Sequence, residues 1–67
     1  MKLIDLLSTC RGSFVVILNG RGNVIAKYTG TGLMRLDGRD ESIHDCQVTE
    51  VRVGFGTFEG KLVVTIA

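Results

Sequence analysis

Two stretches of β-branched and aromatic residues, each doubled back across a glycine-rich turn, dominate this chain of 67 residues. Ser13 to Leu18 and Val24 to Thr29 flank the turn cluster Asn19-Gly20-Arg21-Gly22-Asn23. Residues of this kind fit a pleated, half-buried surface, and two such runs around a glycine turn read as a β-hairpin. A loop of Gly20-Arg21-Gly22 puts Gly22 at the left-handed position that a three-residue hairpin needs. Pairing then sets Leu18 opposite Val24, Val16 opposite Ala26 and Phe14 opposite Tyr28, all on one face. A two-residue turn at Asn19-Gly20 would mix apolar and polar faces, so the pattern selects the first register. Gln47 to Phe55 and Lys61 to Ile66 repeat the arrangement, with the turn at Phe58-Glu59 or at Glu59-Gly60. Either turn keeps Val51, Val53 and Phe55 on the same side as Leu62, Val64 and Ile66.

Ahead of the hairpins, Leu3 and Leu7 stand four apart and Ile4 and Leu7 three apart, which predicts a short helix over residues 2–9. Arg11 and Gly12 follow where a basic residue and a glycine suit a helix C-terminus. Between the hairpins, Leu33-Met34-Arg35-Leu36 reads either as a third strand or as a packed crossing segment. Asp37 to Ser42 is a polar loop, and Asp40 or Ser42 is placed to cap one helical turn at Ile43-His44. The expected architecture is a single α+β domain over residues 1–67. It consists of a short N-terminal helix packed on a four-stranded, largely antiparallel sheet of two hairpins.

Charge and composition narrow the function. Eight Lys and Arg against seven Asp and Glu give a formal charge of +1, too small a field to draw the chain to nucleic acid. No apolar run approaches the ~20 residues that span a bilayer, so no membrane role is expected. Cys10 and Cys46 do not make a disulfide framework, and both are read as reduced thiols of a cytoplasmic protein. A domain this small recovers the entropy of ordering only with an efficient core or with help from a disulfide, a metal or association. Association is the expected help.

Few residues are equipped for chemistry, and neither an enzyme nor a cofactor is expected. Gly54-Phe55-Gly56-Thr57-Phe58-Glu59 resembles a dinucleotide loop whose third glycine is replaced by Glu59. Gly56 to Lys61 is one residue short of a phosphate loop, with Leu62 where magnesium needs a hydroxyl. His44, Cys46 and a distant Cys10 or carboxylate offer zinc donors without paired-ligand spacing, and His44 with Cys46 lacks the oxyanion donor a nucleophile needs. Arg21 at a hairpin tip and Arg39 in the acidic loop are well placed to meet a partner. With Asp37, Asp40, Glu41 and Arg52 they form the candidate partner-binding set. Arg21, Arg52 and Lys27 supply the alternative, a nucleotide or nucleic-acid binder, which the near-neutral charge disfavours.

The opening Met1-Lys2-Leu3-Ile4-Asp5-Leu6-Leu7, then Phe14-Val15-Val16-Ile17 and Asn23-Val24-Ile25, carry a resemblance. So does the close, from Asp45-Cys46-Gln47-Val48 to Lys61-Leu62-Val63-Val64. Together they resemble short phage and mobile-element proteins of Gram-positive bacteria that have an N-terminal LLxxC helix and a β-meander. The resemblance spans both ends of the chain and not residues 30–44. It implies the cytoplasm of a bacterial host cell as the setting. It also implies a stoichiometric, anti-CRISPR-like inhibitor that contacts a defence complex. No catalytic residue follows from it.

Apolar strand surface gives the physical lead toward a partner. Four strands at ~4.8 Å spacing are wider than one short helix of ~10 Å can cover. The expectation is a homodimer or an obligatory partner. Its interface is either the uncovered part of the main face or the reverse-face cluster of Val15, Ile17, Ile25 and Val63.

Overall fold

A computed structural model describes residues 1–9, 14–30 and 32–67. Helix α1 (Leu3–Leu7) is followed by β1 (Val15–Leu18), β2 (Val24–Tyr28), β3 (Leu33–Arg35), β4 (Val48–Val53), a 3-10 turn (Gly56–Phe58) and β5 (Leu62–Ile66). The expected roles of Cys10, Arg11 and Gly12, and the start of the first strand at Ser13, lie outside the described residues.

The helix is shorter than predicted, for a local reason. The Ser8 hydroxyl donates to the Asp5 carbonyl and the Thr9 hydroxyl to the Leu6 carbonyl, both at 2.8 Å. These side chains take carbonyls that a further turn would have used. At the other end the first helical N–H groups find partners in another segment. Leu3 N donates to the Cys46 carbonyl and Ile4 N to the His44 carbonyl, each at 2.9 Å. A five-residue helix is marginal by itself. This one is held by the turn before β4 and by burial of Leu3 and Leu7.

The sheet has five strands in the order β3-β2-β1-β5-β4, one more than predicted and mixed in direction. Both expected hairpins are present, β1 with β2 and β4 with β5. They join through the parallel pair β1 and β5, which sets Val15 beside Leu62 and Ile17 beside Val64. Leu33–Arg35 is a strand, the first of the two readings of that segment, and pairs antiparallel with β2. Ser42 does cap a turn, its hydroxyl oxygen accepting from His44 N at 3.3 Å, but the turn is Ile43 to Cys46 and no helix follows.

The first hairpin corrects the predicted register. Leu18 pairs with Val24 as expected and Gly22 sits at φ 84°. A bulge then shifts the ladder by one residue, so Ile17 meets Ala26, Val16 meets Lys27 and Val15 meets Tyr28. The residue accommodated is Ile25. It packs against the core, and its carbonyl accepts from Leu36 N at 2.8 Å. Because strand side chains alternate, a one-residue shift exchanges the faces of β1. Val15 and Ile17 therefore point toward α1 and are fully buried with Leu3, Leu7, Val64 and Ile66. Val16, Leu18 and Val63 form a separate buried cluster on the reverse side.

Two expectations about interfaces change with that exchange. Val15, Ile17, Ile25 and Val63 share no face: the first three pack into the helix-side core, and Val63 lies behind it. Val15 and Ile17 at 0% exposure have no surface to offer a partner. The predicted main face, with Phe14, Val16 and Leu18 beside Val64 and Ile66, is likewise divided between the two sides. Apolar surface does remain open, chiefly on β4 and just beyond it, where Val51 is 46%, Val53 76% and Phe55 80% exposed.

Candidate binding groove

One end of the sheet carries a groove of about 880 Å³ between the β1–β2 turn and the segment after β3. Its first wall is built by Asn19, whose side-chain oxygen accepts from Arg21 N at 2.9 Å and Asn23 N at 3.0 Å. The side chain adds to the main-chain bond from Gly22 N to the Asn19 carbonyl at 3.0 Å, and Gly22 supplies the left-handed residue that closes the loop. Arg21 is thereby fixed at the tip with its guanidinium unpartnered among the described residues.

The opposite wall is organised around Arg35. Its guanidinium grips Asp37 with two hydrogen bonds, Nε to Oδ1 at 3.1 Å and Nη2 to Oδ2 at 2.6 Å. Its Nη1 donates to the Glu41 carbonyl. Asp37 Oδ1 also accepts from Arg39 N at 3.2 Å, and Gly38 between them takes φ 78°. One planar fork thus ties both ends of the 37–41 loop, which is the geometry that suits arginine and not lysine. The two side chains are only 17% and 21% exposed. The hydrogen bond from Arg35 holds the Asp37 carboxyl below its ordinary value, and the same bond raises Arg35 further.

Four of the six candidate partner-binding residues, Arg21, Asp37, Arg39 and Glu41, come together around this groove. Asp37 is there as a brace and is already taken by Arg35. Asp40 is exposed on the same loop and does not line the groove. Arg52 is elsewhere, on β4, with its Nε 3.2 Å from Glu50 Oε1. Ile43 and Ile66 provide an apolar floor, a contribution that sequence reading missed because they come from distant segments. Arg35 was missed too, although Arg-x-Asp-Gly-Arg in a short loop is the signal of such a brace.

His44 and Cys46 serve the fold through their carbonyls, which accept the first N–H groups of α1. The His44 ring lies 3.0 Å from the Ser42 hydroxyl through Nδ1, and Cys46 is a half-buried free thiol. Among the described residues no three His, Cys, Asp or Glu side chains gather as a metal site. No helix in the described residues is long and apolar enough to cross a membrane. No protein-family model matches the chain, and neither the curated proteins nor the solved structures give a match.

Proposed function

We propose that this chain is a binding protein that acts by stoichiometric contact with another protein, using the groove between the β1–β2 turn and the 37–43 segment. The observation that carries the reading is that Arg21 and Arg39, whose guanidiniums have no partner among the described residues, both line an apolar-floored groove whose wall is braced by Arg35. Unpaired cations beside apolar surface suit an acidic segment of a partner protein. Nucleic acid is the weaker reading, because Asp37, Asp40 and Glu41 share the loop with Arg39 and the net charge is +1. The likeness to short phage and mobile-element proteins makes a bacterial defence complex the partner to test first.

The experiment is co-expression of the chain with defence nucleases in bacteria challenged by phage, with recovery of the complex by pull-down. Wild type is expected to restore phage growth and to co-purify with one complex at a fixed ratio. The variant Arg21→Glu/Arg39→Glu is expected to lose about tenfold or more in affinity, from reversal of two charges facing an acidic segment. Equal behaviour of wild type and variant would remove the groove from the reading. Absence of any effect on phage growth would remove the defence complex.

A further inference from the structure

The edge strand β4 has an outer side of which, among the described residues, only the start is covered, and its sequence is complementary to itself. Gly54 N donates to the Lys61 carbonyl at 2.8 Å, so Gly54 faces β5, and in the antiparallel ladder Arg52 and Glu50 do likewise. Alternation turns the main-chain N–H and C=O groups of Val51 and Val53 outward. The start of this outer side is already closed, because Val48 N donates to the Met1 carbonyl at 2.8 Å and Lys2 bridges to Gln47. Its far end stops where the chain leaves the sheet at Gly54. The open stretch runs from the bulge at Thr49, whose hydroxyl donates to the Thr65 carbonyl at 3.2 Å, to Val53, and its midpoint is Val51.

We infer that β4 is the seam of a homodimer, in which the open stretches of two copies pair antiparallel about a two-fold axis at Val51 and fuse the two sheets into one. This goes beyond the groove reading and does not depend on it, since no residue of the open stretch lines the groove. A two-fold axis normal to the sheet sets residues of the same face opposite each other, which restricts the allowed registers to steps of one pleat. Centred on Val51, Glu50 stands opposite the second copy's Arg52, and Arg52 opposite its Glu50. Moving the centre to either neighbouring register sets Glu50 against Glu50 or Arg52 against Arg52. Charge therefore selects the same register as the extent of the open edge.

Other features converge on this seam. The Glu50 and Arg52 pairs fall at the non-hydrogen-bonded positions, where opposed Cα atoms are ~4.5 Å apart and side chains approach most closely. Each is already joined to its neighbour on its own strand at 3.2 Å, so the four groups alternate in sign around the axis. Val51, 46% exposed, meets its own copy through two main-chain hydrogen bonds and a side-chain contact, and the 76% exposed Val53 is drawn into the seam. An open edge is commonly guarded by like charges, proline or a bulge, and along β4 the guard present is the bulge between Val48 and Glu50, at the start of the open stretch. Opposite charges two residues apart give no protection against a second copy.

The test is sedimentation velocity on the full chain over a concentration series, with circular dichroism to show that each variant is folded. Wild type is expected to dimerise. Arg52→Glu and Glu50→Arg are each expected to weaken self-association about tenfold or more, and an equal mixture of the two to form a heterodimer. Hydrogen exchange supplies a measurement that needs no variant: the Val51 amide is expected to gain protection as the dimer forms. A wild type that stays monomeric at hundreds of micromolar would overturn the inference. So would a dimer that ignores both single variants, or a Val51 amide that exchanges freely within the dimer.

Discussion

The centre of the sheet and its β4 edge solve the burial problem differently. At the centre, β1 and β5 place Val15, Ile17, Val64 and Ile66 beneath Leu3 and Leu7, all at 5% exposure or less. At the β4 edge, Val51 and Val53 follow the same alternating pattern and stay 46% and 76% exposed. The residue types are the same, so hydrophobicity alone does not decide burial. Position does: Leu3 and Leu7 of a five-residue helix, with Ile43 from the segment after β3, cover the central strands and the start of β4 and leave its far half open. Apolar alternation in a strand reports that a face is suited to burial, and the width of what lies above it decides whether the protomer supplies the cover.

Mutation at the two places should separate them sharply. Ile17→Ala empties a fully buried site, at a cost of about 2–5 kcal/mol, against the ~3–5 kcal/mol that a core of this size supplies. The variant is expected to be largely unfolded at 25 °C by circular dichroism. A cooperative melt near that of wild type would show that the centre is not the source of stability. Gly22→Ala should cost about 1 kcal/mol, because φ 84° is strained for any residue with a Cβ although there is open space around it. Urea unfolding measures this, and an unchanged midpoint would mean that the turn readily relaxes.

Acid should loosen a third region without unfolding the centre. The Asp37 carboxyl has a lowered value in the folded chain, through its hydrogen bond from Arg35. Its contribution is therefore complete above the ordinary Asp value of 3.8 and is lost as pH falls through the lower folded one. Amides in residues 36–43 should lose protection, relative to the intrinsic exchange rate at each pH, below about pH 4, while β1 and β5 remain protected. Simultaneous loss of both would tie the loop to the core more closely than the geometry suggests. The smallest effect is expected at the open edge: Val53→Thr should change protomer stability by no more than about 0.5 kcal/mol. A larger loss measured in dilute solution would mean that Val53 is covered within the protomer.

Much of this was readable from the chain alone. The helix rested on Leu3 and Leu7, both hairpins on alternation around glycine, and the Leu18 to Val24 pairing on a left-handed glycine at Gly22. The bulge at Ile25 was not legible, since it is set by the Leu36 hydrogen bond and by tertiary packing against α1. Nor was the parallel union of β1 with β5, because nothing local records which strands of two hairpins will touch. In the groove, Arg21 and Arg39 stood out through their turn positions. Asp37 read as a free carboxylate because its capture by Arg35 depends on a loop closure that spacing alone does not disclose. The expected reverse-face interface failed for the same reason as the register: one extra residue in β2 turned Val15 and Ile17 inward.

The union of β1 with β5 has a consequence for how the chain acquires its shape. The middle of the sheet is made from residues 15–18 and 62–66, so a ribosome must deliver the chain through Ile66 before the centre exists. Until then β1 waits with one side unsatisfied, exposed to any stray strand. Contacts so distant along the chain also slow the search for the native state. A truncated copy that stops before Leu62 would lack a middle altogether, and degradation or aggregation, not a smaller working domain, is its expected fate.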